Sequence, residues 1–308
     1  MRVAIIDLGT NTFNLLIAEI TASGFELIAK KKQSVKLGKS GLKEGKIMPD
    51  AFSRGVEAMI HYKQIIDQHK VNEIKAIATS AMRDSSNSKE FQKEVLKSTG
   101  IEIAIISGKE EAMLIQRGVE LTLPKDFQDY VIMDVGGGST EFIIVKNRTV
   151  IWSKSYDLGV SRLLDWLCPS DPILHSERKK LSDRLQFELK DLFEAITMHQ
   201  VTILIGSSGS FDSIHDMLEW DKYNDYSSNQ IDFNEINLPN FFSLHNQLVA
   251  STLEERHSLN GLLPMRADMM VISSLEIFKV VSEAKISKLF RSSYALKEGL
   301  LSSMTLIK

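Results

Sequence analysis

Asp134 ends an apolar run, three glycines follow it, and Ser139, Thr140 and Glu141 come next in "VIMDVGGGSTE". Glycines leave backbone N–H groups unshielded, and a turn of such groups makes a concavity for an anion. A phosphate suits that concavity, although two neighbouring carboxylates would repel it unless a divalent cation lay between them. Carboxylates with retained waters are the usual way of holding Mg²⁺. The pattern points Gly136, Gly137 and Gly138 at phosphoryl oxygens, and Asp134 and Glu141 at a metal or its waters. The plainer reading is a tight hairpin, because turn glycines are common.

The same phrase occurs near the start: "IIDLGTNTFNLLI" parallels "IMDVGGGSTEFII", with Asp7 where the other has Asp134. Two acid-tipped bends raise an internal duplication as the first architecture to consider. A third element, Gly206, Ser207, Ser208, Gly209 and Ser210, lies between a strand and a helix. It would direct a helix N-terminus at another anion or a nucleotide.

In "ISGKEEAMLIQRGVEL", Ser107 and Glu110 have the capping-box spacing, so Glu110 is accounted for. Glu111 has no such duty. Beside phosphate loops it could orient and deprotonate a water for in-line attack on phosphorus. Compensation of the helix dipole, worth roughly 0.3–1 kcal/mol, is the commoner role for such an acid. In "ATSAMRDSSN", Arg83 among hydroxyls could clamp phosphate bidentately or simply sit exposed at a helix entry. Lys30, Lys31, Lys32, Lys36, Lys39, Lys43 and Lys46 form the densest basic run, read as a solvated loop that could also guide a polyanion. The histidines are scattered without metal-binding spacing, and Met265, Met269 and Met270 look like core filling.

These residues need elements to position them. Residues 3–6 and 13–20 read as one hairpin around the Asp7 bend, and 130–133 and 142–145 as another. Helices are expected over 51–68, over 86–98 ending at Gly100, from Ser107 onward, over 161–167 and 211–218, and as one long charged helix over 173–199. Short strands are expected at 74–78, 101–106 and 201–205. Residues 221–240 read as a polar surface excursion, and helices beginning near 241, 267 and 295 close the chain. Alternating strands and helices make the class α/β, with a boundary at Pro124, Lys125 and Asp126.

With 308 residues, 43% of them hydrophobic, the chain can build a substantial core and more readily two domains than one. Its 37 Lys+Arg against 40 Asp+Glu give a formal charge of -3, so the overall balance calls for neither nucleic acid nor an acidic membrane. One cysteine, Cys168, makes no internal disulfide. The chain lacks a signal peptide and any stretch long enough to span a bilayer, so a reduced cytoplasm is expected. A symmetric dimer is the prior for a soluble enzyme.

Six segments in order, "AIIDLGTNTFNLLIAEI", "ATSAMRDSSN", "ISGKEEAMLIQRGV", "VIMDVGGGSTEFIIV", "IGSSGS" and "LPMRADMM", resemble the exopolyphosphatase/guanosine pentaphosphate phosphatase family over nearly the whole chain. The resemblance implies an actin-like, ribonuclease H-like fold of the sugar kinase/actin type. In it, two duplicated α/β domains, 1–124 and 125–308, carry mixed five-stranded sheets flanking a cleft, and the final helix packs back on the first domain. It implies release of a terminal phosphate from inorganic polyphosphate, or of the 5′-phosphate of a guanosine pentaphosphate, with Mg²⁺. By the same resemblance Glu111 is the catalytic base and Asp7, Asp134 and Glu141 are the metal-side acids. Phosphate contacts fall on Gly9, Thr10, Asn11, Thr12, Arg83, Gly136 to Thr140, Gly206 to Ser210 and Lys297. Asn14 stands where relatives often have a basic residue, and Lys297 where an arginine is usual, which loses the planar fork. The chain resembles the short members, without a C-terminal helical domain.

Two rivals remain open at this point. A kinase or ATPase of the same fold would consume ATP with an acceptor, and Glu111 speaks against it only by analogy. An alarmone-binding regulator would bind without turnover, with Asn14 and Lys297 as its only hints.

Overall fold

The computed structural model describes residues 1–22, 24–223 and 232–305. The first half runs β1 (Arg2–Leu8), β2 (Thr12–Thr21), β3 (Gly24–Ser34), α1 (Pro49–Gln68), β4 (Glu73–Ala78), α2 (Ser80–Arg83), α3 (Ser88–Thr99), β5 (Ile103–Ile105) and α4 (Gly108–Glu120). Its strands form one sheet in the order β3-β2-β1-β4-β5, antiparallel on the β2 and β3 side and parallel on the other.

The second half repeats the plan with β6 (Tyr130–Val135), β7 (Thr140–Lys146), β8 (Thr149–Tyr156), α5 (Val160–Leu167), α6 (His175–Glu188), α7 (Lys190–His199), β9 (Ile203–Ser207) and α8 (Ser208–Tyr223). Then come β10 (Phe233–Ile236), α9 (Leu238–Ala250), α10 (Leu253–His257), a 3-10 turn (Pro264–Arg266), α11 (Met270–Glu283), β11 (Lys288–Ser292) and α12 (Leu296–Thr305). The order β8-β7-β6-β9-β11 matches the first sheet, with the same parallel and antiparallel pairings. β10 adds a sixth strand, antiparallel to β11, so the second sheet is larger than the five strands expected.

The central strands β1 and β6 have helices or neighbours over both faces and read as continuous apolar runs, which is what burial on both sides requires. β3 and β8 escaped the sequence reading because each is mostly exposed and lacks a regular apolar alternation. Lys30, Lys31 and Lys32 therefore sit in an edge strand and not in a loop. The helix expected over 173–199 is two, because Leu189 leaves the helical region at φ -95° and ψ 13° while its side chain stays in the core. Part of the expected excursion at 221–240 is β10 and the start of α9, and 224–231 lie outside the described residues.

The two halves interlock through their helices. α4 packs on β7 and β8 of the second sheet, and α12 packs on α4 and on β1 and β3 of the first. Gly118 and Gly299 allow the α4 and α12 backbones to meet: a Cβ on Gly118 would lie 1.9 Å from Ala295 O, and one on Gly299 1.8 Å from Leu114 O. Among the described residues no helix is long and apolar enough to cross a membrane.

Candidate active site between the two sheets

Two turns of the same build meet at the cleft. Gly9 N donates to Thr12 O at 3.1 Å, and Gly136 N donates to Ser139 O at 3.0 Å. In each half the chain leaving the third strand donates into the turn's carbonyls: Val35 and Lys36 to Asn11 O, Gly38 to Thr10 O, Val160 to Gly136 O, and Ser161 to Gly137 O. Those carbonyls are thereby taken. Among the described residues no backbone carbonyl accepts from the amides of Thr10, Asn11, Gly137 or Gly138, and such unpartnered donors suit an anion. A Cβ on Gly137 would lie 2.7 Å from Asn11 Nδ2, and one on Gly138 2.7 Å from Thr10 Oγ1, so the turns approach closely only because these positions are glycine.

Of the five acids that among the described residues line the cleft of about 210 Å³ bordered by the turns, Asp212 pairs with Arg291, and the other four are Asp7, Glu111, Asp134 and Glu141. Each of these four has a hydrogen-bonded partner. Asn14 Nδ2 donates to Asp7 Oδ2 at 3.0 Å, Ser207 Oγ to Asp134 Oδ2 at 2.6 Å, Ser155 Oγ to Glu141 Oε1 at 2.7 Å, and Arg83 Nη1 to Glu111 Oε2 at 3.1 Å. Burial raises the pKa of all four. Glu141 is pushed to about 7 by burial and then by the charge of Asp134, and Glu111 is pushed well up by burial and then by Glu141, with Arg83 opposing. The Ser107–Glu110 capping box forms as read, with Glu110 N donating to Ser107 Oγ at 3.2 Å, and leaves Glu111 turned into the cleft.

Crowded carboxylates of this kind are relieved by a hard cation, and their oxygens are the donors Mg²⁺ prefers. Among the described residues no three acidic, histidine or cysteine side chains gather as a ready cation cage. The donor set therefore fits an ion held by one or two carboxylates and completed by water and phosphate. Lys297, in the first turn of α12, is the cation already among these acids. Burial works against its charge, but Glu298, Asp7, Asp212 and Asp134 outweigh that and hold its pKa above the ordinary value.

The third element splits. Gly206 lies in β9, where a Cβ would meet the Phe211 ring at 2.0 Å, and Ser207 is fully buried on Asp134. Ser208 takes a left-handed φ of 70°, a strained setting for a residue with a side chain, and Ser208, Gly209 and Ser210 then line the cleft at the start of α8. Thr140 is also fully buried, below the cleft floor, and does not line it. Beneath it Glu276 of α11 is fully buried beside the Thr140 hydroxyl, and among the described residues neither its oxygens nor Thr140 Oγ1 makes a hydrogen bond of ordinary geometry. Arg83 is not at the cleft surface: its guanidinium reaches Glu111 and Ile106 O, both at 3.1 Å.

Lys32 and Lys36 of the basic run, the Asn14 departure and the Thr79 and Ser80 hydroxyls beside Arg83 all line the cleft, whereas Ser34, Asp212 and Arg266 escaped the sequence reading. Arg266 sits inside the quoted "LPMRADMM", which was the available signal. Met265 and Met269 line the cleft as well, and Met270 does so while remaining almost wholly buried. Among the described residues, ion pairs joining the halves include Lys36–Asp268 at 2.8 Å and Arg162–Asp84 at 2.6 Å, and Arg162 Nε also donates to Gly138 O at 2.9 Å.

The model of the Ppx/GppA phosphatase family matches residues 16–307. The chain belongs to that family. Among Ppx/GppA proteins of known structure, an exopolyphosphatase from Cytophaga hutchinsonii is 34% identical, with 99% of this chain and 98% of that one covered at a TM-score of 0.95. A Ppx/GppA family member from Aquifex aeolicus is 25% identical over 100% of this chain and 98% of its own, at a TM-score of 0.80. Among curated Ppx/GppA relatives, Exopolyphosphatase 2 of Mycobacterium tuberculosis is 27% identical over 98% of both chains. A guanosine-5'-triphosphate,3'-diphosphate pyrophosphatase of Pseudoalteromonas translucida is 26% identical over 98% of this chain and 59% of its own length.

Proposed function

We propose that this Ppx/GppA protein is an exopolyphosphatase, releasing terminal orthophosphate from inorganic polyphosphate by water attack with Glu111 as general base. The observation that carries the reading is the meeting of two matched turns, with unpartnered amides, at a cleft that also holds Glu111. The amides of Thr10, Asn11, Gly137 and Gly138 bind the terminal phosphate, and Ser208, Gly209 and Ser210 add donors at the start of α8. One or two of Asp7, Asp134 and Glu141 would hold Mg²⁺, with the remaining acids reaching it through its waters, and the ion would supply charge neutralisation between carboxylate and phosphate. Glu111 accepts the proton of the attacking water, and Arg83 orients that carboxylate and favours its ionised form. Lys297 balances the acids and faces the same phosphate oxygens.

The guanosine pentaphosphate reading shares every one of these steps, because its 5′ end is also a terminal phosphoanhydride. The names of the relatives include both activities. The cleft is lined by charged and small polar side chains and by aliphatic ones such as Ile115, Val160, Leu296 and Met269, and among the described residues no aromatic ring lines it to stack a base. That composition favours polyphosphate. Parallel assays of orthophosphate release from polyphosphates of several lengths and from guanosine pentaphosphate test the choice. Faster turnover of the nucleotide at equal concentration would overturn it, and ATP consumption tied to an acceptor would overturn the hydrolase reading altogether.

A further inference from the structure

Asp7, Asn14 and Lys32 lie in register on three neighbouring strands, Asp7 opposite Asn14 and Asn14 opposite Lys32. Residues paired this way project from the same face of a sheet, and two inter-strand steps place the Lys32 backbone about 10 Å from that of Asp7. The second half has the corresponding row Asp134, Glu141 and Ser155. The two rows share their first acid and then diverge. Where the second half continues with a carboxylate and a hydroxyl, the first continues with an amide and an ammonium.

This divergence gives the cleft two chemical ends. Glu111 feels Glu141, Arg83 and Asp134, whereas Lys32 feels Arg266 most strongly among charges, then Asp212, Lys297 and Asp7. Lys32 lines the cleft and, among the described residues, forms no ion pair or hydrogen bond. Its surface is open because the cleft is open, yet the walls replace part of its hydration. Burial and then the charge of Arg266 bring its pKa down to about 8. Arg266 stands opposite on the second half, where its guanidinium packs on Gly209 and donates to Ser213 Oγ at 3.0 Å. Two cations facing each other across a cleft repel; Asp212 offsets part of that repulsion for both, and an anion bound between them relieves the rest.

We propose that Lys32 is a substrate-binding residue that holds a phosphate behind the reacting one, gripping it together with Arg266 across the cleft. The inference rests on the phosphoanhydride reading of the site. It assigns the direction of the substrate: the reacting phosphate lies at the turns and Glu111, and the remainder of the chain leaves over β2 and β3. Orthophosphate, which has no phosphate behind the reacting one, then gains nothing from Lys32.

Calorimetry with a nitrogen-bridged tripolyphosphate that resists hydrolysis, and with orthophosphate, tests this on the wild type, Lys32→Met and Lys32→Arg. The expected result is tripolyphosphate affinity reduced on the order of tenfold to a hundredfold in Lys32→Met. Partial recovery in Lys32→Arg and unchanged orthophosphate affinity are expected with it. Equal tripolyphosphate affinity in wild type and Lys32→Met overturns the proposal, as does an equal loss for orthophosphate, which would place Lys32 at the reacting phosphate. A wild type that binds tripolyphosphate through Lys32 but releases no orthophosphate from polyphosphate would remove the hydrolase reading and leave this one standing. A wild type that hydrolyses polyphosphate with Lys32→Met unaffected in affinity would do the reverse.

Discussion

Arg83 Nη1 lies 3.1 Å from Glu111 Oε2, and the same nitrogen donates to Ile106 O. Among the described residues this is the one ion pair of the proposed base. Burial and Glu141 raise the pKa of Glu111, and Arg83 works in the opposite direction. A base acts when ionised, so activity should climb as pH rises through that pKa. Removing Arg83 takes away the opposing charge, and the acidic limb of the pH profile of kcat moves upward in Arg83→Met. Arg83→Lys recovers part of the shift. An unmoved limb in Arg83→Met would show that the guanidinium does not tune Glu111.

Glu111→Gln keeps the shape of the side chain and removes the proton acceptor. General-base catalysis is worth roughly 10²–10⁴-fold, and kcat for phosphate release should fall by that order. Binding of the hydrolysis-resistant tripolyphosphate should persist, because the turn amides and Lys297 are untouched. Normal turnover in this variant would take Glu111 out of the mechanism.

Glu276 is fully buried, among the described residues neither oxygen has a hydrogen bond of ordinary geometry, and burial, opposed by the nearby Thr140 hydroxyl, lifts its pKa to about 8. The folded state therefore holds this proton more tightly than the unfolded chain does. Its contribution is complete below the ordinary carboxylate pKa and is lost as pH rises toward about 8. Glu276→Leu should flatten the fall in Tm across that window and gain about 1–3 kcal/mol at its alkaline end. Thermal melts over a pH series measure both, and parallel wild-type and variant curves would contradict the burial argument.

Gly118 has no room for a methyl group, because a Cβ would lie 1.9 Å from Ala295 O. Gly118→Ala must push α12 away from α4, at about 1–3 kcal/mol or more of stability. α12 carries Lys297 into the site, so loss of tripolyphosphate affinity should accompany the lowered Tm. A stable variant with normal affinity would mean that the two helices can separate without moving the lysine.

The sequence by itself determined a good deal. Local chemistry is legible in a chain because it depends on neighbours: the acid at each strand end, the turn glycines and the Ser107–Glu110 cap could all be read from spacing. The repeated bend disclosed two related halves for the same reason. What the tertiary structure decided are relations between residues far apart in the chain. β3 and β8 hide in sequence because edge strands facing solvent have no apolar alternation to betray them. Arg83 was read beside hydroxyls, and the fold also brings its guanidinium to Glu111 and Ile106 O. Lys32 looked like one lysine of a basic run. Only the register of β3 on β2 puts it in line with Asp7, and only the closure of the second half over the first sets Arg266 across from it, because a cleft is a property of two surfaces and no single segment encodes it.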